Sequence, residues 1–405
     1  MTDAILRAPP SSGQNPVYSL LFSRSFMGRP YLISPVADVL MAGGGALFLL
    51  AVLSLTLPTQ AGRAAPEAIA TTAAIFATVS YFINYPHFMA SYSLLYGSLG
   101  QRMAAYSPGQ MTWWRTVNAA FVAPAVLVAF FAYCVAWRRV DLMGWAVQAM
   151  FFFVGWHYVK QSYGVFVVLS GMKGIYYNRW QVLALKGHVY SLWLYSWFSS
   201  GAVILEGMSP RPMNFHSISY DGLSLFKTQG LVDFLFWPTV FFALAGWAAV
   251  LWNWYATGKR PSLSGLLGYT SMYTLLAFVR LHPLFAYAAP AFHSLQYLLF
   301  VYAYKRGEFH LEGQDHAVPD TGAKPPWLRL LTYFLLMCAT GALFFDVLPF
   351  YFDNKSTRWG LPLVATPIFH LFINVHHYFI DSAIWRRDNR DVSRFLFWRA
   401  QAERR

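Results

Sequence analysis

The sequence predicts an all-α fold: a polytopic transmembrane helical bundle of about nine or ten spans. Three observations predict it. Apolar residues fill 57% of 405 positions and charged residues only 12%, about half the charged share of a soluble globular domain. The apolar residues gather into long runs separated by short polar breaks. Lys and Arg, which give a net charge of +13, sit between those runs and at the ends. That placement orients a chain in a bilayer, and no nucleic-acid motif accompanies it.

The elements follow in order. Positions 1–35 are polar to mixed, with Pro9, Pro10, Ser11, Ser12 and Gly13, and read as a cytoplasmic N-terminal segment. The first apolar run is too long for a signal-peptide core and reads as an uncleaved span. The spans are 36–57, 69–94, 116–137, 143–171, 181–206, 231–254, 264–286, 288–304, 328–350 and 361–385. Most reach the roughly 20 residues that cross the hydrocarbon core. Breaks such as Pro58-Thr59-Gln60 and Ser107-Pro108-Gly109 separate them. The region from Pro283 to Pro290 reads either as a boundary or as the tip of a re-entrant hairpin, hence nine or ten. The longest connectors, 207–230 and 305–327, are polar and shorter than the ~50 residues of a soluble domain. The transmembrane domain is 36–386, and 387–405 is a basic cytoplasmic tail.

Orientation follows from the cations. Arg7, Arg24 and Arg29, then Arg102/Arg115, Lys173/Arg179, Lys259/Arg260 and Lys305/Arg306, fall on one side together with the tail; only Arg138-Arg139 opposes them. Cations favour the cytoplasmic face, so both termini are expected inside a bacterial-type inner or plasma membrane. Cys134 and Cys338 fall within apolar runs, as small core residues rather than a disulfide frame or thiolate site.

Ionisable side chains inside a span cost a few kcal/mol each, so they pair or they work. Four spans carry them in a pattern. The second holds Asn84, His87 and Ser91; the fourth His157, Lys160 and Gln161; the eighth His293, Gln296 and Tyr297; the tenth His370, Asn374, His376, His377 and Asp381. Each histidine has a polar neighbour three or four residues away, on the same helical face. His370, Asn374, His377 and Asp381 form one stripe, and His376 points about 100° away from His377.

Gathered around one cavity, His87, His157, His293, His370, His376 and His377 are candidate metal ligands, because neutral imidazole binds transition metals well. Gln161, Gln296, Asn374 and Tyr297 suit hydrogen bonding around the cofactor. Asp381 suits either fixing a ring tautomer or ligating directly. Lys160 is a rare intramembrane cation: it pairs with Asp381, binds an anionic headgroup, or snorkels to the interface. With Asp381 it is the candidate catalytic pair. His188 pairs with nothing by spacing, His282 reads as interfacial, and His216, His310 and His316 fall in connectors. Stretches such as "FFFVGW" and "FLFWPTVFF" suit a pocket for a long apolar substrate or lipid-facing packing.

The histidine-bearing segments "NYPHFMAS", "GWHYVKQSYG", "AFHSLQY" and "FHLFINVHHYFID" resemble polytopic histidine-rich membrane oxygenases, including bacterial carotene-cleaving dioxygenases and, more distantly, membrane fatty-acid desaturases. The resemblance covers well under half the chain. "HLFINVHH" departs from the HxxxH and HxxHH boxes of desaturases, so their ligand assignments do not transfer. It implies a non-heme iron oxygenase or desaturase, with one iron or a dinuclear centre. A lipid or isoprenoid substrate would enter from the bilayer, and a redox partner would return electrons. The residues themselves leave other readings open. His87 with His157, or His293 with His370, would suit the axial positions of a b-type haem. A chain of histidines and Asp381 would suit a proton or metal transport path. A His/Asp base in a lipid or glycan transferase ranks last.

Overall fold

The computed structural model describes residues 31–56, 74–207, 214–215, 218–219, 228–280, 285–315, 325–358, 365–386 and 389–396. These are helical almost throughout. The exception is a two-residue antiparallel pairing, β1 (Asn214–Phe215) with β2 (Ile218–Ser219), in the long connector. His216, His282 and His316 lie outside the described residues.

The helices are α1 (Pro35–Val39), α2 (Gly45–Thr56), α3 (Asn84–Tyr96), α4 (Leu99–Ala105), α5 (Met111–Val117), α6 (Ala123–Ala136), α7 (Val140–Gly171) and α8 (Arg179–Gly207). Then come α9 (Gln229–Thr257), α10 (Leu263–Thr270), α11 (Tyr273–Arg280), α12 (Phe285–Asp315), α13 (Pro326–Ala342), α14 (Leu348–Arg358) and α15 (Ala365–Ile384). Single π-turns join α1 to α2, α5 to α6 and α13 to α14, at Leu40–Gly44, Asn118–Val122 and Leu343–Val347.

Among the described residues, four helical stretches are both long and apolar enough to cross a membrane: Met111–Ala136, Val140–Gly171, Gln229–Thr257 and Pro326–Lys355. These match four of the spans read from the sequence. The others differ for identifiable reasons. The second expected span is broken at 81–83, and α3 begins only at Asn84. The seventh is split between α10 and α11 at Ser271-Met272. α12 and α15 are long, at 31 and 20 residues, but they carry the histidines and their polar partners, which lowers their hydropathy.

Prolines mark helix starts more than breaks. Pro86 and Pro367 sit in the first turns of α3 and α15, where a missing N–H costs nothing. Pro290 lies inside α12 without ending it.

The apolar helices show their outer faces. Phe234, Trp237, Phe241 and Leu244 recur at helical spacing along α9 and are 64% to 71% exposed, as a lipid-facing stripe requires. The main core runs between α3, α12 and α15, where Leu94, Leu95, Leu299, Phe300, Ile380 and Ile384 pack together. Two glycines allow the close approaches that hold this geometry. A Cβ on Gly341 of α13 would stand 2.5 Å from Tyr85 Cβ on α3, and one on Gly268 of α10 would stand 2.5 Å from Val165 Cγ1 on α7. Cys134 is buried and Cys338 half-buried, and neither is in a disulfide.

Candidate metal centre

α3, α7, α12 and α15 each bring one histidine to a common point. His87, His157, His293 and His377 are all buried. Their ring centroids lie 4.5 Å apart for His87–His377, 4.9 Å for His87–His293, 4.7 Å for His157–His293 and 5.1 Å for His157–His377. Asp381, one turn beyond His377 on α15, joins them. Its Oδ2 lies 3.2 Å from His377 Nε2 and 3.3 Å from His157 Nε2.

Two overlapping sets of donor atoms can hold a metal ion. In the set His87, His293 and His377, and again in the set His157, His377 and Asp381, the ligand atoms lie within 4.8 Å of one another. Both sets share His377. One imidazole nitrogen serves one ion, so the five side chains build a single centre.

The hydrogen bonds around the rings fix where their lone pairs point. Ser91 Oγ donates to the Phe88 carbonyl at 2.6 Å. Its proton is therefore spent, and it must accept from His377 Nδ1 at 2.9 Å. His377 thus carries its proton on Nδ1 and turns the Nε2 lone pair inward. His87 is held the same way. Ser294 Oγ donates to Asn84 Oδ1 at 2.9 Å and lies 3.2 Å from His87 Nδ1, and the Asn84 backbone also accepts from this ring. The inward-facing atoms, His87 Nε2 and His377 Nε2, are then 3.0 Å apart. Two lone pairs facing each other at that distance repel unless a positive charge lies between them.

The remaining donors are also without partners. Neither ring nitrogen of His293 has a hydrogen-bond partner among the described residues, and His157 Nε2 faces Asp381 without hydrogen-bond alignment. Buried polar atoms left this way are rare and call for an explanation. Asp381 itself is held from behind, where Tyr297 donates its phenol proton to Oδ1 at 2.9 Å. Tyr158 stacks on His293 with ring centroids 4.4 Å apart, which fixes that ring.

The other residues singled out in the sequence go elsewhere. His376 Nε2 donates to the Ala119 carbonyl at 2.7 Å and its Nδ1 accepts from Tyr92 at 2.9 Å, so both nitrogens are committed on the far face of α15. His370 Nε2 contacts the Phe345 carbonyl at 3.2 Å, two turns away from His377. Asn374 Nδ2 donates to the His370 carbonyl of its own helix. Gln161 donates to the His293 carbonyl and to Gln296 Oε1, and Gln296 donates to Ser271 Oγ and the Ala42 carbonyl. This amide chain braces the backbone behind His293 and does not face the donor cluster. Lys160 lies over the Trp156 ring, 4.5 Å from its centroid, and makes no ion-pair contact with Asp381 among the described residues.

Two supporting residues stood outside the sequence-level site: Ser91, noted only as a polar neighbour, and Ser294, hidden beside His293. Ser294 serves His87 on a different helix, a pairing that spacing along one helix does not encode. His188 proves fully occupied, between Tyr269 and Tyr273 hydroxyls at 2.9 Å each. Tyr273 in turn accepts from Trp247. It is a buried brace between α8, α10 and α11.

No known protein family, characterised protein or solved structure matches the chain.

Proposed function

We propose that this chain is an integral membrane metalloprotein of about nine or ten spans. Its four-histidine, one-carboxylate centre holds a single iron ion for oxidation of a lipid or isoprenoid substrate. The observation that carries the reading is the contact between His87 Nε2 and His377 Nε2 at 3.0 Å, with both lone pairs turned inward by their serine partners. Two nitrogens bound at about 2.1 Å and subtending a right angle stand about 3.0 Å apart. A bound ion would turn this repulsive contact into a pair of adjacent ligands.

The donor set supports iron. His157, His377 and Asp381 match the two-histidine, one-carboxylate set of non-heme iron oxygenases, and His87 and His293 add imidazole donors of the same type. Bound there, iron supplies the activation of O₂ that oxidation of an unactivated chain requires. The protein's own residues do the rest. Ser91 and Ser294 orient the rings, Tyr297 anchors the carboxylate, and burial of all five donors keeps bulk water out. The geometry disfavours a b-type haem. Trans ligands at about 2 Å each would stand about 4 Å apart across a planar macrocycle, whereas these rings meet edge to face with no slot between them.

The test is metal analysis and absorption spectroscopy on detergent-purified protein, wild type and His377→Ala and His157→Ala. The expected result is about one iron per chain in wild type, no haem Soret band, and loss of iron in both variants. Metal-free wild type reconstituted with ferrous iron and still binding none would sink the proposal, as would a stoichiometric haem spectrum.

A further inference from the structure

Lys160 is the charged group that the metal centre does not absorb. It sits on α7 three residues beyond His157, a rise of about 4.5 Å along the helix. Its only printed partner among the described residues is the ring of Trp156 in its own helix. Asp381 is near enough to attract it. Both carboxylate oxygens are engaged, however: Oδ1 by Tyr297 and Oδ2 by His157 and His377. Two further cations face the same place. Arg115 at the end of α5 and Arg386 just past α15 both lie close enough to repel the Lys160 ammonium. Each is half-buried, and α15 packs against both α5 and α7.

Three cations on three separate segments thus surround one spot beside the donor cluster, with one carboxylate in reach and that carboxylate already committed. Half-buried like charges at membrane depth are expensive unless an anion joins them. We infer that Lys160, with Arg115 and Arg386, receives the anionic head of a long-chain amphiphile, a carboxylate or phosphate, whose tail lies in the bilayer. Lys160 selects acidic over neutral heads. This rests on the reading of the centre as an oxidising metal site and narrows its substrate to an acidic lipid. A head bound one helical turn from His157 leaves the adjoining carbons of the chain beside the metal.

The test is equilibrium binding to the detergent-purified, iron-loaded full chain, with iron content measured on the same samples. The probes are radiolabelled oleate, oleyl alcohol and phosphatidylglycerol. Wild type is expected to bind at least one of the two acidic lipids about tenfold or more tighter than the alcohol, as a charge-assisted contact predicts. Lys160→Gln is expected to erase that preference and to keep its iron, while Lys160→Arg restores most of the preference. Lys160-dependent binding of oleate identifies a carboxylate head, and of phosphatidylglycerol alone a membrane phosphate. Equal binding of acid and alcohol by wild type overturns the inference, as does an undiminished preference in Lys160→Gln. Iron-free wild type that still binds acid through Lys160 would overturn the metal reading and leave the anion site standing. Should Lys160→Gln not fold, Arg115→Gln and Arg386→Gln take its place, each expected to weaken acid binding severalfold and to leave alcohol binding unchanged.

Discussion

Replacing Ser91 with alanine tests how the centre is built without touching a ligand. The Ser91 hydroxyl spends its proton on the Phe88 carbonyl at 2.6 Å and accepts from His377 Nδ1 at 2.9 Å. Without it, the Nδ1–H of a fully buried ring has no acceptor. The ring then gains by moving its proton to Nε2, where it can donate to Asp381 Oδ2 at 3.2 Å. That tautomer cannot ligate through Nε2. Loss of a hydrogen-bond partner behind a metal-bound imidazole costs about 10–100-fold in metal affinity, or about 1.4–2.7 kcal/mol. Competition of detergent-purified protein against a coloured chelator measures it directly. Ser91→Ala is expected to bind iron 10–100-fold more weakly than wild type. Ser91→Thr, which keeps the hydroxyl, should recover most of that loss. Unchanged affinity in Ser91→Ala would refute the tautomer argument. An equal loss in Ser91→Thr would reassign Ser91 to packing.

Three other perturbations have definite outcomes. Tyr297→Phe removes the donor to Asp381 Oδ1, a contact worth about 0.5–1.5 kcal/mol; metal affinity in the same competition should fall severalfold with stoichiometry intact, and an unchanged value would mean the carboxylate is held by other contacts. His376→Ala and His370→Ala should keep the full metal content in elemental analysis, because their nitrogens contact the Ala119 and Phe345 carbonyls instead; metal loss in either would place that ring in the centre. Gly268→Ala puts a methyl 2.5 Å from Val165 Cγ1 and 3.3 Å from the Ala42 carbonyl, an overpacking that costs about 1–3 kcal/mol; the thermal midpoint in detergent should drop, and an unchanged midpoint would show that α7 and α10 can separate freely.

Much of the centre was legible because histidines in apolar helices stand out. The four helices that supply ligands are the four that the sequence singles out, and the i,i+4 pair His377 and Asp381 follows from spacing alone. The excess in that reading has a physical cause. A stripe along one helix face spreads its members along the axis, so His370 lies about 10 Å from His377 in rise, out of reach of the same ion. Adjacent His376 and His377 are equivalent in a sequence. What separates them is Ala119, whose carbonyl in the π-turn between α5 and α6 takes the His376 ring, a partner from a distant part of the chain. Span reading failed in a related way. Helices that face one another around polar side chains need not be apolar all round, so α3, α12 and α15 do not meet the length and hydropathy that mark α7 and α9.

A proton is the one competitor to a metal ion in the gap between His87 and His377. A doubly protonated His377 would donate from Nε2 to His87 at 3.0 Å or to Asp381 at 3.2 Å, and its charge would answer the carboxylate. That arrangement settles one contact. It does nothing for His293, whose two ring nitrogens lack partners, or for His157 Nε2, which meets Asp381 out of alignment. Each buried polar atom left unpaired costs about 1–3 kcal/mol, and these atoms come from two further helices that would have no reason to aim imidazoles at the same point. A single ion engages inward donors from all four helices at once. The number and convergence of the donors, more than any one short distance, favour a metal over a shared proton.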